Sequence, residues 1–597
     1  MKRLHHNGIL VPPRYEGKGL TIKVKGRVIM LTTEQEEMAM AWAKKVGTPY
    51  VEDPVFAKNF HSDFSKKLGI KVKPRDVDYS GIIAVVEKER ELKASLSREE
   101  KKRLAAQRKT AREENKECYG YAVVDGKRME LANYVAEPSS IFMGRGEHPI
   151  RGSWKEGPRE EDIVLNLSPD APRPEGKWKK IVWEPELIWI ARWQDKLCGK
   201  MKYVWFSDSS DIKQRKDIEK FDKAKAFRRH LSRVQKHIRD NLDSDDLKRR
   251  KIATVCFLID ELKIRVGDEK DPDEADTVGA STLRPEHISF NSNDSVTFNF
   301  LGKDCVPHIF TKVLPENVIK NLKEFAENAE ATLFDGVRSK HVSEFLDEVM
   351  TGLSAKVFRT VYASDAVKTK LKKTHVEVED PEYRKKYVAT IANLEAARVC
   401  NHKRTIPKRW KASLEKKKDR LKVLKERAKL AHAKLKKKAK DTKKKHKKQL
   451  YKQEEKLKAT LEKLEAYKSQ LEERERQGKS VKAVKKRIQS QRKAITQQRQ
   501  RIKPLKDKHD DQVRKLRQRI DKRKQRDKAA VEKMKLNVEI QGETREYNLT
   551  TSLKSYIDPR IYYEWGKKVE YDWKNYYPKA LQNKFSWVDH QEDKMNS

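Results

Sequence analysis

LKATLEKLEAYKSQL (residues 457–471) and IQSQRKAITQQRQRI (residues 488–502) each repeat an apolar residue on a seven-residue step: Leu457, Leu464 and Leu471, then Ile488, Ile495 and Ile502. A seven-residue step keeps these side chains on one stripe of an α-helix, the seam pattern of a coiled coil. Both lie inside longer tracts, 410–477 and 481–534, dominated by charged and helix-forming residues. They read as two long helices folded back at Gly478, each on the order of 90 Å long at a rise of about 1.5 Å per residue. Pro504 is expected to kink the second arm. Lys434 to Lys448 carries no seam, so that stretch reads as solvated or surface-skimming rather than paired.

A charged rod buries little, so the core must come from its flanks. Residues 1–210 are mixed, with strand-like runs such as Leu20 to Leu31 and Lys180 to Phe206 broken by Pro and Gly, which predicts an α+β lobe. Glu87 to Glu117 is helical but has little apolar face, and is expected to project into solvent or along an anionic surface. From Asp211 to about Arg404 the pattern is mainly helical, with apolar periodicity in Ile252 to Ile264, Val318 to Phe325 and Val388 to Val399. Strand signals at His287 to Phe290 and Ser295 to Leu301 interrupt it. The second ends in the turn Gly302-Lys303-Asp304, where a lysine can be held firmly. After Gln541 the composition becomes globular again, with Ser552 to Trp565 helix-like and aromatics from Tyr562 to Trp587. These last fifty or so residues are expected to complete the core formed before the hairpin. The segments are thus 1–210, 211–405, 406–545 and 546–597. Trp183, Trp189, Trp193 and Trp205 read as alternating strand core rather than a base-stacking surface.

The chain has 597 residues, with 137 Lys and Arg against 91 Asp and Glu, a formal net charge of +46. An extended polyanion is the partner such a surface attracts, and nucleic acid leads. Five scattered cysteines with no CxxC pair argue against a disulfide framework or a zinc knuckle, and point to a reducing compartment. No apolar run reaches the roughly 18 residues of a membrane span, and Met1 to Tyr15 lacks the apolar stretch of a secretory signal. The expectation is an intracellular, DNA-associated protein without a membrane partner. Neither a Walker phosphate loop nor a Rossmann fingerprint is present, and no compact carboxylate set suggests a two-metal site. Phosphate chemistry here would draw its cations from side chains.

Ser552-Leu553-Lys554-Ser555-Tyr556-Ile557-Asp558-Pro559-Arg560 closely resembles the active-site tyrosine segment of eukaryotic-type DNA topoisomerase I, the type IB family. The likeness extends to Phe142-Met143-Gly144-Arg145-Gly146, Asp276-Thr277-Val278-Gly279, Phe300-Leu301-Gly302-Lys303-Asp304, Ala355-Lys356-Val357-Phe358-Arg359-Thr360 and Cys400-Asn401-His402. The resemblance implies a multidomain α+β fold: a two-lobed DNA clamp, with a cap lobe at 1–210 and a mainly helical catalytic core at 211–405 related to tyrosine recombinases. A long antiparallel coiled-coil linker at 406–545 and a C-terminal domain at 546–597 carrying the nucleophile complete it. It implies Tyr556 as nucleophile, Arg265 and Arg359 as cations on the phosphate, His402 as a further donor and Lys303 as general acid. Arg145, Lys202, Tyr203, Thr277, Lys356 and Asp304 are implied as contacts to double-stranded DNA. The implied activity is ATP-independent nicking, strand rotation and religation by a monomer that needs no ATP and no essential divalent metal. The chemistry is coherent: a tyrosine with a pKa of about 10 is a poor nucleophile at neutral pH unless cations stabilise its phenolate. Guanidinium groups also match the oxygens of a five-coordinate phosphoryl transition state.

Ser555 stands where the eukaryotic nuclear enzymes usually carry Asn, and Asp268 where a phosphate-contacting Asn is usual. The family's long charged N-terminal tail does not precede the first lobe. This favours a non-eukaryotic or minimal member in the cytoplasm or nucleoid, whereas a eukaryotic member would be nuclear. Two rivals remain: a tyrosine recombinase, which usually has a compact His-x-x-Arg element not found around Arg359, and a non-enzymatic coiled-coil DNA-binding protein.

Overall fold

The computed structural model describes residues 1–268 and 276–590, apart from the side chain of Asp304. The chain forms two compact units. One comprises Met1–Val378, Ala389–Thr405 and the segment from Tyr547 onward; the other comprises Glu379–Val388 and Ile406–Glu546.

The first part of the larger unit is built on small sheets. Leu4–His6, Tyr121–Val124 and Lys127–Glu130 form an antiparallel three-stranded sheet. A four-stranded sheet runs in the order Lys180–Val182, Val164–Asn166, Trp189–Gln194, Met201–Trp205, with one parallel pair. Its central strand buries Trp189, Ile190, Ala191 and Trp193. The edge strand Met201–Trp205 buries only Val204, because an edge strand has the core on one face and water on the other. Trp205 is therefore not core: it is 37% exposed and its ring lies 4.9 Å from that of Tyr203. The expected tryptophan core holds for Trp189 and Trp193, with Trp183 half-buried against the cluster that contains Trp193. A separate core gathers Trp42, Phe56, Phe60 and Phe64.

The charged stretch 87–117 is helical, as expected, and falls in two helices, Ser80–Ser95 and Arg98–Tyr119. Ser97 separates them: its hydroxyl accepts the Glu100 N–H at 3.1 Å while the Glu100 carboxylate accepts the Ser97 N–H at 2.8 Å. This reciprocal cap satisfies donors that a new helix start exposes. The second helix buries no residue, as its lack of an apolar face requires.

The second part of the unit packs the helices Asp211–Asp240, Leu247–Leu262, Glu316–Glu327, Ser339–Asp347 and Lys356–Lys373 with a three-stranded antiparallel sheet. The strands are Ile288–Phe290, Ser295–Gly302 and Val306–Val313. Val296, Phe298 and Phe300 alternate inward along the middle strand and join Phe227, Phe325, Phe334 and Phe358 in one cluster. Each fully buried Phe contributes roughly 1.5–3 kcal/mol. The chain from Tyr547 onward closes this unit. Tyr562 Oη donates to the Ala389 carbonyl at 3.0 Å, Asn393 Nδ2 donates to Tyr576 Oη at 2.9 Å, and Phe585 packs beside Phe221.

In the smaller unit, Trp410–Arg476 and Lys482–Glu543 form a helical hairpin that reverses at Gly478, whose φ of 63° suits a residue without Cβ. Leu464, Val484, Ile488 and Ile495 are its buried seam, flanked by Leu457, Leu461, Tyr467 and Leu471. Pro504 lies inside the second helix, which continues through it. The expectation that Lys434–Lys448 would stay unpaired is corrected. His446 Nε2 is 2.7 Å from Gln512 Oε1 and its ring lies tilted 4.9 Å from that of His509, so polar groups replace the missing seam. Among the described residues no helix is long and apolar enough to cross a membrane.

Candidate functional site

Six peptide segments converge on a cavity of about 70 Å³ whose walls include Arg265, Lys303, His308, Arg359, His402 and Lys403. Lys303 is exposed on the turn between the two long strands, where Gly302 pairs with Val306. Cys305 closes this turn in the left-handed region, at φ 55°. Arg265 follows the helix Leu247–Leu262, which is terminated by Lys263 at φ 55°. The extended stretch beyond is pinned from both sides. The Arg265 and Val266 carbonyls accept the N–H groups of Ala280 and Ser281 at 2.8 and 2.7 Å, and Ser281 Oγ donates to the Gly267 carbonyl at 2.8 Å.

Arg359 sits near the start of the helix Lys356–Lys373 and is only 3% exposed. One of its terminal nitrogens donates to the Cys400 carbonyl, while Nε is buried and has no partner. His402 follows the helix Glu382–Val399 by way of Asn401, a left-handed residue. Its Nδ1 is 2.6 Å from Ser552 Oγ, and its Nε2 is buried without a partner. When the serine hydroxyl donates to Nδ1, the imidazole proton resides on Nε2. Burial first, then the charges of Arg359 and Arg265, push the His402 pKa down to about 2. The ring is therefore a neutral donor at physiological pH. His308 responds in the same way, pushed down to about 4 by burial and by Lys403, Arg359 and Arg265.

Tyr556 is not part of the cavity wall; it meets the cluster through its ring. It ends the short helix Leu549–Ser555, and Asp558 caps the next, Pro559–Lys568, so the helix-like stretch 552–565 breaks at this residue. The ring centroid is 4.8 Å from the Arg359 guanidinium carbon and 5.0 Å from the His402 ring. Ser364 fixes the break: its Oγ donates to the Tyr556 carbonyl at 3.3 Å and accepts the Asp558 N–H at 3.1 Å. Ser364 and Asp558 also line a separate cavity of about 670 Å³ bounded by Phe221, Arg229 and Ile561.

The structure thus brings Arg265, Lys303, Arg359, His402 and Tyr556 together. Arg145 is exposed on a loop whose carbonyl at that residue accepts from Cys305 Sγ at 3.5 Å, which places the loop beside the Lys303 turn. Lys356 is exposed one turn before Arg359, and Thr277 is half-buried next to Val278 in the cavity wall. Lys202 and Tyr203 contact their own sheet: Lys202 Nζ is 3.7 Å from Asp195 Oδ2, and Tyr203 packs on Trp205. The side chain of Asp304 lies outside the described residues. Asp268 has a structural use, accepting the Ser339 N–H at 2.9 Å at the start of a helix. Sequence reasoning missed Ser552, Ser364 and His308. Ser552 lies within the tyrosine motif and His308 faces Phe300 across the hairpin, so only strand register could have singled out the histidine. Among the described residues no three His, Cys, Asp or Glu side chains group so as to hold a metal ion.

Three family models match in succession: the DNA binding fragment of eukaryotic DNA topoisomerase I at residues 1–206, its catalytic core at 209–435, and a C-terminal topoisomerase domain at 528–596. DNA topoisomerase 1 beta of Arabidopsis thaliana is 36% identical over 426 residues, 70% of this chain and 46% of that protein. DNA topoisomerase 1 of Candidozyma auris is 35% identical over 437 residues, 70% of this chain and 58% of that protein. The human DNA topoisomerase 1 is 32% identical over 436 residues, covering 69% and 56%. The chain spans about half the length of the curated relatives it matches.

Proposed function

The chain belongs to the eukaryotic-type DNA topoisomerase I family, and on that premise we propose that it is a type IB DNA topoisomerase. In this reading duplex DNA is held between the residue 1–210 lobe and the 211–405 core, which we take to be related to tyrosine recombinases. Arg145, Lys202, Tyr203, Thr277, Lys356 and Asp304 contact it, mainly through phosphates. The phenol of Tyr556 gives its proton to a water molecule, and the resulting phenolate oxygen attacks a backbone phosphorus. The bond from phosphorus to the 5′ oxygen breaks, and Lys303 transfers a proton to that oxygen, leaving a 3′-phosphotyrosine and a free 5′ hydroxyl. Arg265, Arg359 and the Nε2–H of His402 stabilise the charge that builds on the non-bridging oxygens. One diester replaces another of similar energy, so no ATP is needed. The downstream duplex swivels about the intact strand, relaxing supercoils of either sign, and the 5′ hydroxyl then reverses the first step. One chain carries the whole set, so a monomer suffices, and the compartment is wherever the cell keeps its DNA.

The observation that supports this most is the pair of buried, unpartnered donors, Arg359 Nε and His402 Nε2, in a cavity rimmed by further cations. A buried polar atom left without a partner costs about 1–3 kcal/mol, a cost that a bound phosphate would relieve. The test is relaxation of a plasmid in EDTA without ATP, alongside trapping of the covalent complex. Tyr556→Phe should bind DNA normally, relax none and form no adduct. Site-specific strand exchange in place of relaxation, or attachment to a 5′ end, would reject the proposal.

A further inference from the structure

His308 has no place in the mechanism above, yet it shares the cavity wall with Lys303. It stands directly across the hairpin from Phe300, and the two rings stack at 5.4 Å with an interplanar angle of 24°. From there the imidazole leans toward the turn. A methyl group added to Gly302 would collide with Cδ2 and Nε2 of His308, so the ring edge fills the space that a side chain would occupy just before Lys303. Gly302 brings no side chain of its own to fix the start of the turn, which Cys305 closes in the left-handed region. The ring supplies one.

We propose that His308 is a positioning residue that holds the Lys303 turn by ring packing against Gly302, so that Lys303 meets the departing 5′ oxygen. The proposal rests on Lys303 acting as the acid. Shape rather than polarity carries the role, because His308 Nδ1 is buried without a partner. Burial, together with the cations facing the ring, Lys403, Arg359 and Arg265, keeps it uncharged at neutral pH. It therefore adds no competing positive charge beside the lysine.

The experiment compares single-turnover cleavage of an ordinary suicide substrate with that of one carrying sulfur in place of the bridging 5′ oxygen. A thiol has a pKa of about 8.5 against about 15.7 for water, so a thiolate departs without an acid. His308→Ala should cleave the ordinary substrate at least tenfold more slowly than wild type, yet cleave the sulfur substrate within about threefold of it. His308→Phe, which keeps a ring against Gly302, should stay within about threefold on both substrates. Gly302→Ala, which displaces the ring from the other side, should share the alanine variant's selective defect. Equal loss on both substrates, or no loss on either, overturns the proposal. Lys303→Ala separates the two levels of argument: if sulfur fails to rescue it, the assignment of the acid falls. If sulfur rescues Lys303→Ala but not His308→Ala, only the role of His308 falls.

Discussion

Replacing Ser552 by alanine removes one hydroxyl from the protein and should slow strand cleavage by about tenfold without weakening DNA binding. Ser552 is fully buried, and its Oγ is 2.6 Å from His402 Nδ1. Deleting one member of a buried hydrogen bond costs about 1–3 kcal/mol, because the other member is left unsatisfied. His402 cannot compensate by taking up a proton, since its pKa lies near 2. It instead loses the bond that selects its tautomer, so the proton on Nε2 is no longer fixed and the ring is free to tilt. A loss of about 1.4 kcal/mol of transition-state stabilisation corresponds to a factor of ten in rate. The assay is covalent-complex formation on a suicide substrate under single-turnover conditions, with binding measured separately on the Tyr556→Phe background. In the proposed mechanism His402 acts on a non-bridging oxygen, so sulfur at the 5′ position should leave this defect in place. A rate within twofold of wild type, or rescue by the sulfur substrate, would refute the reasoning.

Acid should destabilise the protein between about pH 6.5 and pH 4, and His6 accounts for part of the effect. It accepts the Gly8 N–H on Nδ1 at 3.0 Å and donates from Nε2 to the Asn166 carbonyl at 2.9 Å, and complete burial pushes its pKa down to about 4. The folded state thus binds fewer protons than the unfolded state below pH 6.5. Stability is lost as pH falls, roughly 2 kcal/mol from this residue by pH 5. Denaturant melts at pH 7.5 and pH 5 should show a smaller difference for His6→Gln, and an unchanged difference counts against the assignment. Ser364→Ala removes the two bonds its hydroxyl makes to the backbone around Tyr556, and should slow cleavage about three- to tenfold at unchanged DNA affinity. An unaltered cleavage rate would show that the break is fixed without it.

Elements whose side chains repeat against a single partner surface were legible in the sequence. The hairpin seam from Leu457 to Ile502, the alternating strand Ser295–Gly302 and the helix carrying Ile252 to Leu262 each announce one buried face. Errors arose where polar groups, not apolar periodicity, decide. Tyr556 interrupts a run that looks helical because Asp558 caps the following turn. Between 434 and 448 the hairpin pairs through His446, Gln512 and His509, none of which registers as a seam. Trp205 was misjudged for a further reason: alternation says which residues share a face, but not that its strand lies at the sheet edge. The five residues Arg265, Lys303, Arg359, His402 and Tyr556 came from motif likeness. Their supporting groups have no such signature, since Ser364 and Ser552 act through single hydroxyls whose partners are 192 and 150 residues away.

The distance in sequence between His402 and Tyr556 conceals a short structural path. The chain departs at Lys403 and returns at Tyr547, and those two residues pair as an isolated bridge. The Asn548 N–H then donates to the His402 carbonyl at 2.7 Å, while the Asn548 side chain caps the helix Leu549–Ser555 by accepting from Thr550 and Thr551. A helical turn is about 3.6 residues, so a helix anchored at Asn548 presents Ser552 one turn later and Tyr556 one turn after that, on the same face. The first meets the His402 imidazole; the second lies against it and under Arg359. Loop-closure entropy rises only slowly with the length of an intervening segment, so the excursion between Lys403 and Tyr547 weighs little on this arrangement once the bridge has formed. The geometry of Tyr556 is therefore set locally, by one cap and two helical turns. A substitution at Asn548 should disturb it more than any change of comparable size in the hairpin seam.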